Sequence, residues 1–330
     1  MKDKLKLARN LILISIPLIL LCALAYLLPM SYMTTEYVMW QEEYENSRAP
    51  HTDASTLIIG DSRAKSSVLP GELHEGVYNI GIGGCTPIEM YHAVKNYIDH
   101  NGAPERAIII FAPYHMCDID NWDQTLYFNF LSAGELAKIY GNALKTKDPV
   151  VASHGRLAEM TGYKLRLPSK YLAQMYDAKL VGNRADNLAR FASIREDLGY
   201  LEFGNAPGDD GEDYEVHHEE FDSDALVILY YEKLLDLLSD NNVKVLITQA
   251  PVNEASSEAM HPAFISGFSD FMHELEYRRR YYDMTVESDI PVYPNELYGD
   301  ANHLNRKGAE RFTEELRQHL DDIGFWNVVR

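Results

Sequence analysis

The chain is poor in cysteine and short of positive charge. Three cysteines among 330 residues cannot staple a small disulfide scaffold, and none has the paired CxxC spacing of a structural zinc site. Thirty Lys and Arg stand against fifty Asp and Glu, a formal net charge of -20. So acidic a chain repels phosphate backbones, which excludes a general nucleic-acid binder. Apolar residues are plentiful, at 46% against 24% charged, so a core can be buried and wholesale disorder is excluded. The length suits one large domain or two small ones.

One stretch does not belong to a globular domain. Leu11 to Leu28 runs without a charge behind a leader carrying Lys2, Lys4, Lys6 and Arg9. At 1.5 Å per residue it rises roughly 27 Å, close to the hydrocarbon thickness of a bilayer. Pro17, inside it, is tolerated in membrane helices. The expectation is a cytoplasmic leader over 1–10, a single transmembrane anchor in the cell membrane over 11–28 and an extracytoplasmic remainder. The acidic residues beyond the run (Glu36, Glu42, Glu43, Glu45) agree with that orientation. A cleaved signal peptide is the competing reading, from Ala23-Leu24-Ala25, but Tyr26, Leu27 and Leu28 continue the apolar run past that point. Residues 29–54, polar and aromatic without clear periodicity, read as a stalk packed on the domain.

From 55 to 330, short β-branched runs alternate with helical periodicity. Thr56–Ile59, Val77–Ile80, Ala107–Phe111 and Val243–Thr248 read as strands; Pro87–His100, Ser223–Ser239 and Asn305–Leu320 read as amphipathic helices. The fold class is therefore α/β, a three-layer α/β/α sandwich on a mainly parallel sheet. A helical insertion at about 117–221 breaks the rhythm, helical around Ala133–Asn142 and Leu167–Leu198. It ends in a solvated acidic loop, Gly208–Asp213.

Ligands of such sheets bind beyond the carboxyl ends of the strands. Gly60-Asp61-Ser62-Arg63 follows strand one, where a serine at a strand-to-helix turn exposes its hydroxyl; the same tripeptide is also ordinary turn or N-cap sequence. Asn79-Ile80-Gly81-Ile82-Gly83-Gly84 follows strand two, where glycines let backbone amides approach a substrate oxygen, or simply make a tight turn. Asp300-Ala301-Asn302-His303 precedes the last helix, where an Asp three residues before a His can orient the imidazole toward a serine. There is no GxSxG elbow and no P-loop.

Together, Gly60-Asp61-Ser62, the Asn79…Gly84 turn and Asp300…His303 resemble the blocks of the SGNH/GDSL hydrolase superfamily, over roughly Ser55 to Gln318 apart from the insertion. The resemblance implies an SGNH-like fold with Ser62 as nucleophile, His303 as base, Asp300 as its orienting partner, and the Ser62 and Gly84 amides in the oxyanion hole. The family's Gly-x-Asn-Asp block is missing. Strand three runs instead into Phe111-Ala112-Pro113-Tyr114-His115, which leaves Tyr114 or His115 as a substitute donor. Arg63, Asn302 and Asn305 flank the blocks as substrate-binding candidates. The anchor and the wording of the blocks look like the membrane-anchored subgroup that works beside membrane-bound O-acyltransferases, including alginate O-acetylation and teichoic-acid D-alanylation proteins. That implies an O-acyltransferase partner and an envelope-polysaccharide acceptor.

Other constellations fit nothing specific. His115, Cys117, Asp118, Asp120 and Asp123 match no zinc or calcium spacing, and no motif calls for a cofactor or a metal. Arg278-Arg279-Arg280 reads as a solvated helix face or a site for a polyanionic glycan. Cys85 and Cys117, each after a strand, could pair outside the cytoplasm. Three functions remain: an anchored acyltransferase or esterase working through an acyl-serine, a non-catalytic glycan-binding or scaffold subunit, and a secreted lipid esterase.

Overall fold

The structure is a computed structural model that describes residues 2–27, 36–48, 54–119, 121–166 and 183–327. Aliphatic runs without polar alternation make strands buried on both faces. Such runs form β1 (Thr56–Gly60), β3 (Arg106–Ile110) and β4 (Lys244–Thr248), flanked by the shorter β2 (Val77–Asn79) and β6 (Met284–Val286). Together they make one parallel sheet in the order β2-β1-β3-β4-β6. Gly60 stands opposite Ile110, and Ile110 opposite Thr248, so the three central strands end level. A separate parallel pair joins β5 (Val252–Asn253) to β7 (Val292–Tyr293). Neither β6 nor that pair is legible in the sequence, where each is only two or three residues of unremarkable pattern.

The two-residue period of the strands divides the core. Leu57, Ile59, Ala107, Ile109, Val245 and Ile247 point to one face, where they meet α5 (Pro87–Asn101) and α10 (Ala225–Asp240). Ile58, Ile108, Ile110 and Leu246 point to the other, against Phe312, Leu316 and Leu320 of α13 (Arg306–Asp322). Helix starts follow local chemistry. Thr86 and Glu89 form a capping box around Pro87 at the start of α5, and Asn305 caps α13 by accepting from the Gly308 amide. The expected α/β architecture is present, with helices on both faces.

The stalk holds more than a connector. Within it, α2 (Tyr37–Arg48) buries Val38, Met39 and Trp40 in the main core. Glu42 and Glu43 are fully buried. Glu42 pairs with Lys65 at 3.3 Å and takes hydrogen bonds from the Tyr78 hydroxyl (2.5 Å) and from the Asn46 amide. Burial, reinforced by Glu42, pushes the Glu43 carboxyl well above the usual range.

The 117–221 stretch is likewise part of the main core, through Trp122, Leu126, Phe130, Ile139 and Ile194. It carries α6 (Trp122–Tyr127), α7 (Ala133–Thr146), α8 (Arg156–Lys164) and α9 (Arg184–Glu196); residues 167–182 of the expected helix lie outside the described residues. Cys85 and Cys117 are separate buried thiols rather than a disulfide. At the N-terminus, α1 (Lys2–Leu27) leaves Leu11, Ile12, Leu13, Ile14, Leu18, Ile19 and Leu20 exposed. Among the described residues no helix is long and apolar enough to cross a membrane.

Candidate active site

Gly60 ends β1, and Asp61 turns the chain into α3 (Ser62–Ser67). Asp61 is fully buried, and its carboxylate holds the turn from three sides. It accepts the Arg63 amide at 2.8 Å, the Ala112 amide at 2.7 Å and the His115 Nδ1 at 2.6 Å. Burial alone would raise this carboxyl. His115, Arg63 and the Ala112 amide outweigh it, and the net shift is downward, so Asp61 is ionised. Arg63 points the other way, to Asp213 and Glu215 at 2.5 Å each, with its guanidinium 3% exposed. Lys65, two residues on, carries the pair to Glu42. Ser62 therefore sits on a short helix fixed by three buried charged groups at alternate positions.

Asp300 and His303 lie together as their spacing suggests. His303 Nδ1 is 2.8 and 3.0 Å from the two Asp300 oxygens, and the Asn302 and His303 amides donate to Asp300 Oδ1 at 2.9 Å. Burial pushes the Asp300 carboxyl up, but the His303 bond and charge and the two amides carry it below its ordinary value. A carboxylate on Nδ1 directs Nε2 outward as the working nitrogen. Phe203 stacks on the imidazole, centroids 4.6 Å apart and planes at 22°. That stack depends on two glycines. A Cβ on Gly204 would fall 2.2 Å from the Gly299 carbonyl carbon, so the two backbones touch where any side chain would part them.

The third part is the loop after β2. Gly84 has φ +71°, in the left-handed region that favours glycine. Gly83 donates its amide to Met39 Sδ of α2 at 3.2 Å. Among the described hydrogen bonds, the amides of Ser62 and Gly84 donate to nothing.

These parts meet in one open cleft of about 210 Å³, lined by Ser62, Gly84, His303, Tyr114, Arg63 and Asn302 among others. His303 Nε2 makes no hydrogen bond among the described residues, so serine and imidazole share the cleft without a direct bond. Such bonds are often long in unliganded sites and tighten around substrate. The other candidates fall elsewhere. His115 is not in the cleft lining; it is fully buried behind it, spending Nδ1 on Asp61. Asn305 is 6% exposed and donates to the carbonyls of Glu296 and Tyr298 at 2.9 and 3.2 Å, so it builds the turn beneath the site. Arg63 reaches the wall with its charge already matched by two carboxylates. The acidic loop is also not all solvated, since Asp213 is buried.

Sequence reasoning missed Asn121, Gln124, Glu36 and Phe203, which all line the cleft. Asn121 Nδ2 lies 2.9 Å from where a Gly84 Cβ would be, beside the loop that carries the Gly84 amide. No local pattern marks it, because it arrives from the start of α6 rather than from the end of β3. Compared with family models and with curated proteins, the chain matches none.

Proposed function

We propose that this chain is a membrane-anchored, extracytoplasmic SGNH/GDSL-like serine O-acyltransferase or esterase acting on envelope polysaccharide. The observation that carries the reading is the meeting of Ser62, the Gly84 amide and the Asp300-oriented His303 in one cleft at the ends of the parallel strands. His303 Nε2 takes the Ser62 proton as Oγ attacks an acyl carbonyl. The tetrahedral oxyanion is held by the Ser62 and Gly84 amides, with the Asn121 side chain as third donor in place of the absent Gly-x-Asn-Asp block. Collapse expels the donor's leaving group, which takes the proton from His303, and leaves acyl-Ser62. An acceptor hydroxyl or water, deprotonated by His303, then attacks the acyl carbonyl, and the bond to Ser62 Oγ breaks as His303 returns the proton to it.

The proposed anchor is the uncharged run 11–28, whose residues 11–27 lie within α1 behind the charged leader. Its leucines and isoleucines are exposed on every side, a pattern that suits lipid rather than a one-sided contact with protein. A membrane-bound O-acyltransferase is the proposed acyl source. The test is incubation of the full chain in detergent with an activated acetyl ester and oligosaccharides. Acetyl found on Ser62 and then on the sugar supports the transferase, release to water alone supports the esterase, and unchanged turnover by Ser62→Ala removes the mechanism. A non-catalytic glycan-binding subunit is the second reading, favoured by the absent Ser62–His303 bond; it predicts sugar binding without any adduct.

A further inference from the structure

The polar groups left over in the cleft describe the acceptor. Resting on the reading of this cleft as the acyl-acceptor site, we propose that it takes an uncharged, hydroxyl-rich glycan and discriminates against uronate or phosphate-bearing polymers, with Glu36 and Asn302 as the specificity-determining residues. Glu36 stands at the solvent-exposed rim, one oxygen accepting the Gln124 amide at 2.7 Å. Burial raises the Glu36 carboxyl; in its ionised form it has about four acceptor positions, so most of its capacity remains for a ligand. Asn302 Oδ1 is buried in the lining with no hydrogen-bond partner among the described residues. Both groups want a donor, and a sugar hydroxyl supplies one.

Charge points the same way. Among the described lining residues the only Lys or Arg is Arg63, held by Asp213 and Glu215 on Nη2. Its Nη1 has no partner and can donate to a neutral hydroxyl or carbonyl oxygen. An anionic acceptor, however, would compete with the Glu215 and Asp61 charges already beside Arg63 and would meet Glu36 in the same lining. Like charges brought together in a partly desolvated site are penalised, and that penalty sets specificity more than affinity. Tyr114, Phe203 and Tyr214 add aromatic surface to the lining, suited to the apolar faces of sugar rings.

The test reads binding directly on full-length Ser62→Ala in detergent, by calorimetry, so that it does not depend on the serine's being a nucleophile; acylation of the unmutated chain by an activated ester reports separately on the mechanism. The probes are uncharged β-linked oligosaccharides and hexuronate oligomers of equal length. Uncharged oligomers should bind at least ten-fold more tightly at low ionic strength, and the gap should narrow with salt. Glu36→Gln should narrow it further by weakening the neutral ligand and relieving the uronate, and Asn302→Ala should weaken the neutral ligand alone. Equal or tighter uronate binding, no measurable binding of uncharged oligomers at millimolar concentration, or a gap unchanged in both variants overturns the proposal.

Discussion

The two sides of the cleft are built differently. Ser62 belongs to a segment whose Asp61, Arg63 and Lys65 are each fully or almost fully buried and tied to a different part of the chain: the β3 loop, the 213–215 turn and α2. His303 belongs to a turn whose Asp300 side chain is 41% exposed, held by local bonds, one aromatic stack and backbone contacts from Gly204 and Ala206. The contrast teaches that Ser62 is held by buried charge pairs to three distant segments, whereas His303 is held by its own turn together with ring and backbone contacts from residues 203–206.

Substitutions on the two sides should therefore fail in different ways. Ser62→Ala should abolish acylation, on the order of 10³-fold or more, with an unchanged melting temperature. Asp300→Asn should cost on the order of 10² to 10⁴ in kcat by loss of the oriented tautomer, again with little change in melting, because its bonds are local and half exposed. Asn121→Ala should lower kcat by about 10² with KM nearly constant; parallel changes in both would place it in ground-state binding instead. On the serine side, Glu42→Gln leaves the buried Lys65 unpaired and should cost about 3 kcal/mol of stability, read as a lower urea midpoint. A loss under 1 kcal/mol would mean that α2 is not the clamp described here.

A separate contrast concerns pH. Burial pushes the Asp213 carboxyl up to about 8; Arg63 lowers it only in part and Glu215 adds to the rise. The folded state thus holds a proton that the unfolded chain gives up near pH 4, so stability declines as pH climbs from about 4 to 8. Asp213→Asn should flatten that slope in urea titrations at pH 5 and pH 8. An unchanged slope would assign it to other groups, Glu43 first.

The sequence reveals what is local. Continuous aliphatic runs announce β1, β3 and β4, and Asp300 to His303 spans a single turn. Ser62 is legible because it follows a strand. The remainder of the site depends on partners far along the chain: Arg63 meets Asp213 150 positions away, and Phe203 reaches His303 only because Gly204 and Gly299 let two backbones touch. Glu42 and Glu43 give no sign of burial in the sequence, since a buried charge is recognisable only once its partner is in place. Asn121 comes beside Gly84 from the start of α6, a different element from the one the blocks point to, which spacing arguments cannot follow.

The central claim is that Ser62 is a nucleophile served by His303. Its most direct test is exposure of the full chain to a fluorophosphonate probe, followed by peptide mapping, beside the Asp300→Asn and His303→Ala variants. Modification confined to Ser62, fast in the unmutated chain and at least 10²-fold slower in both variants, is the predicted result. Equal labelling in all three, or a probe found on any residue but Ser62, would contradict it.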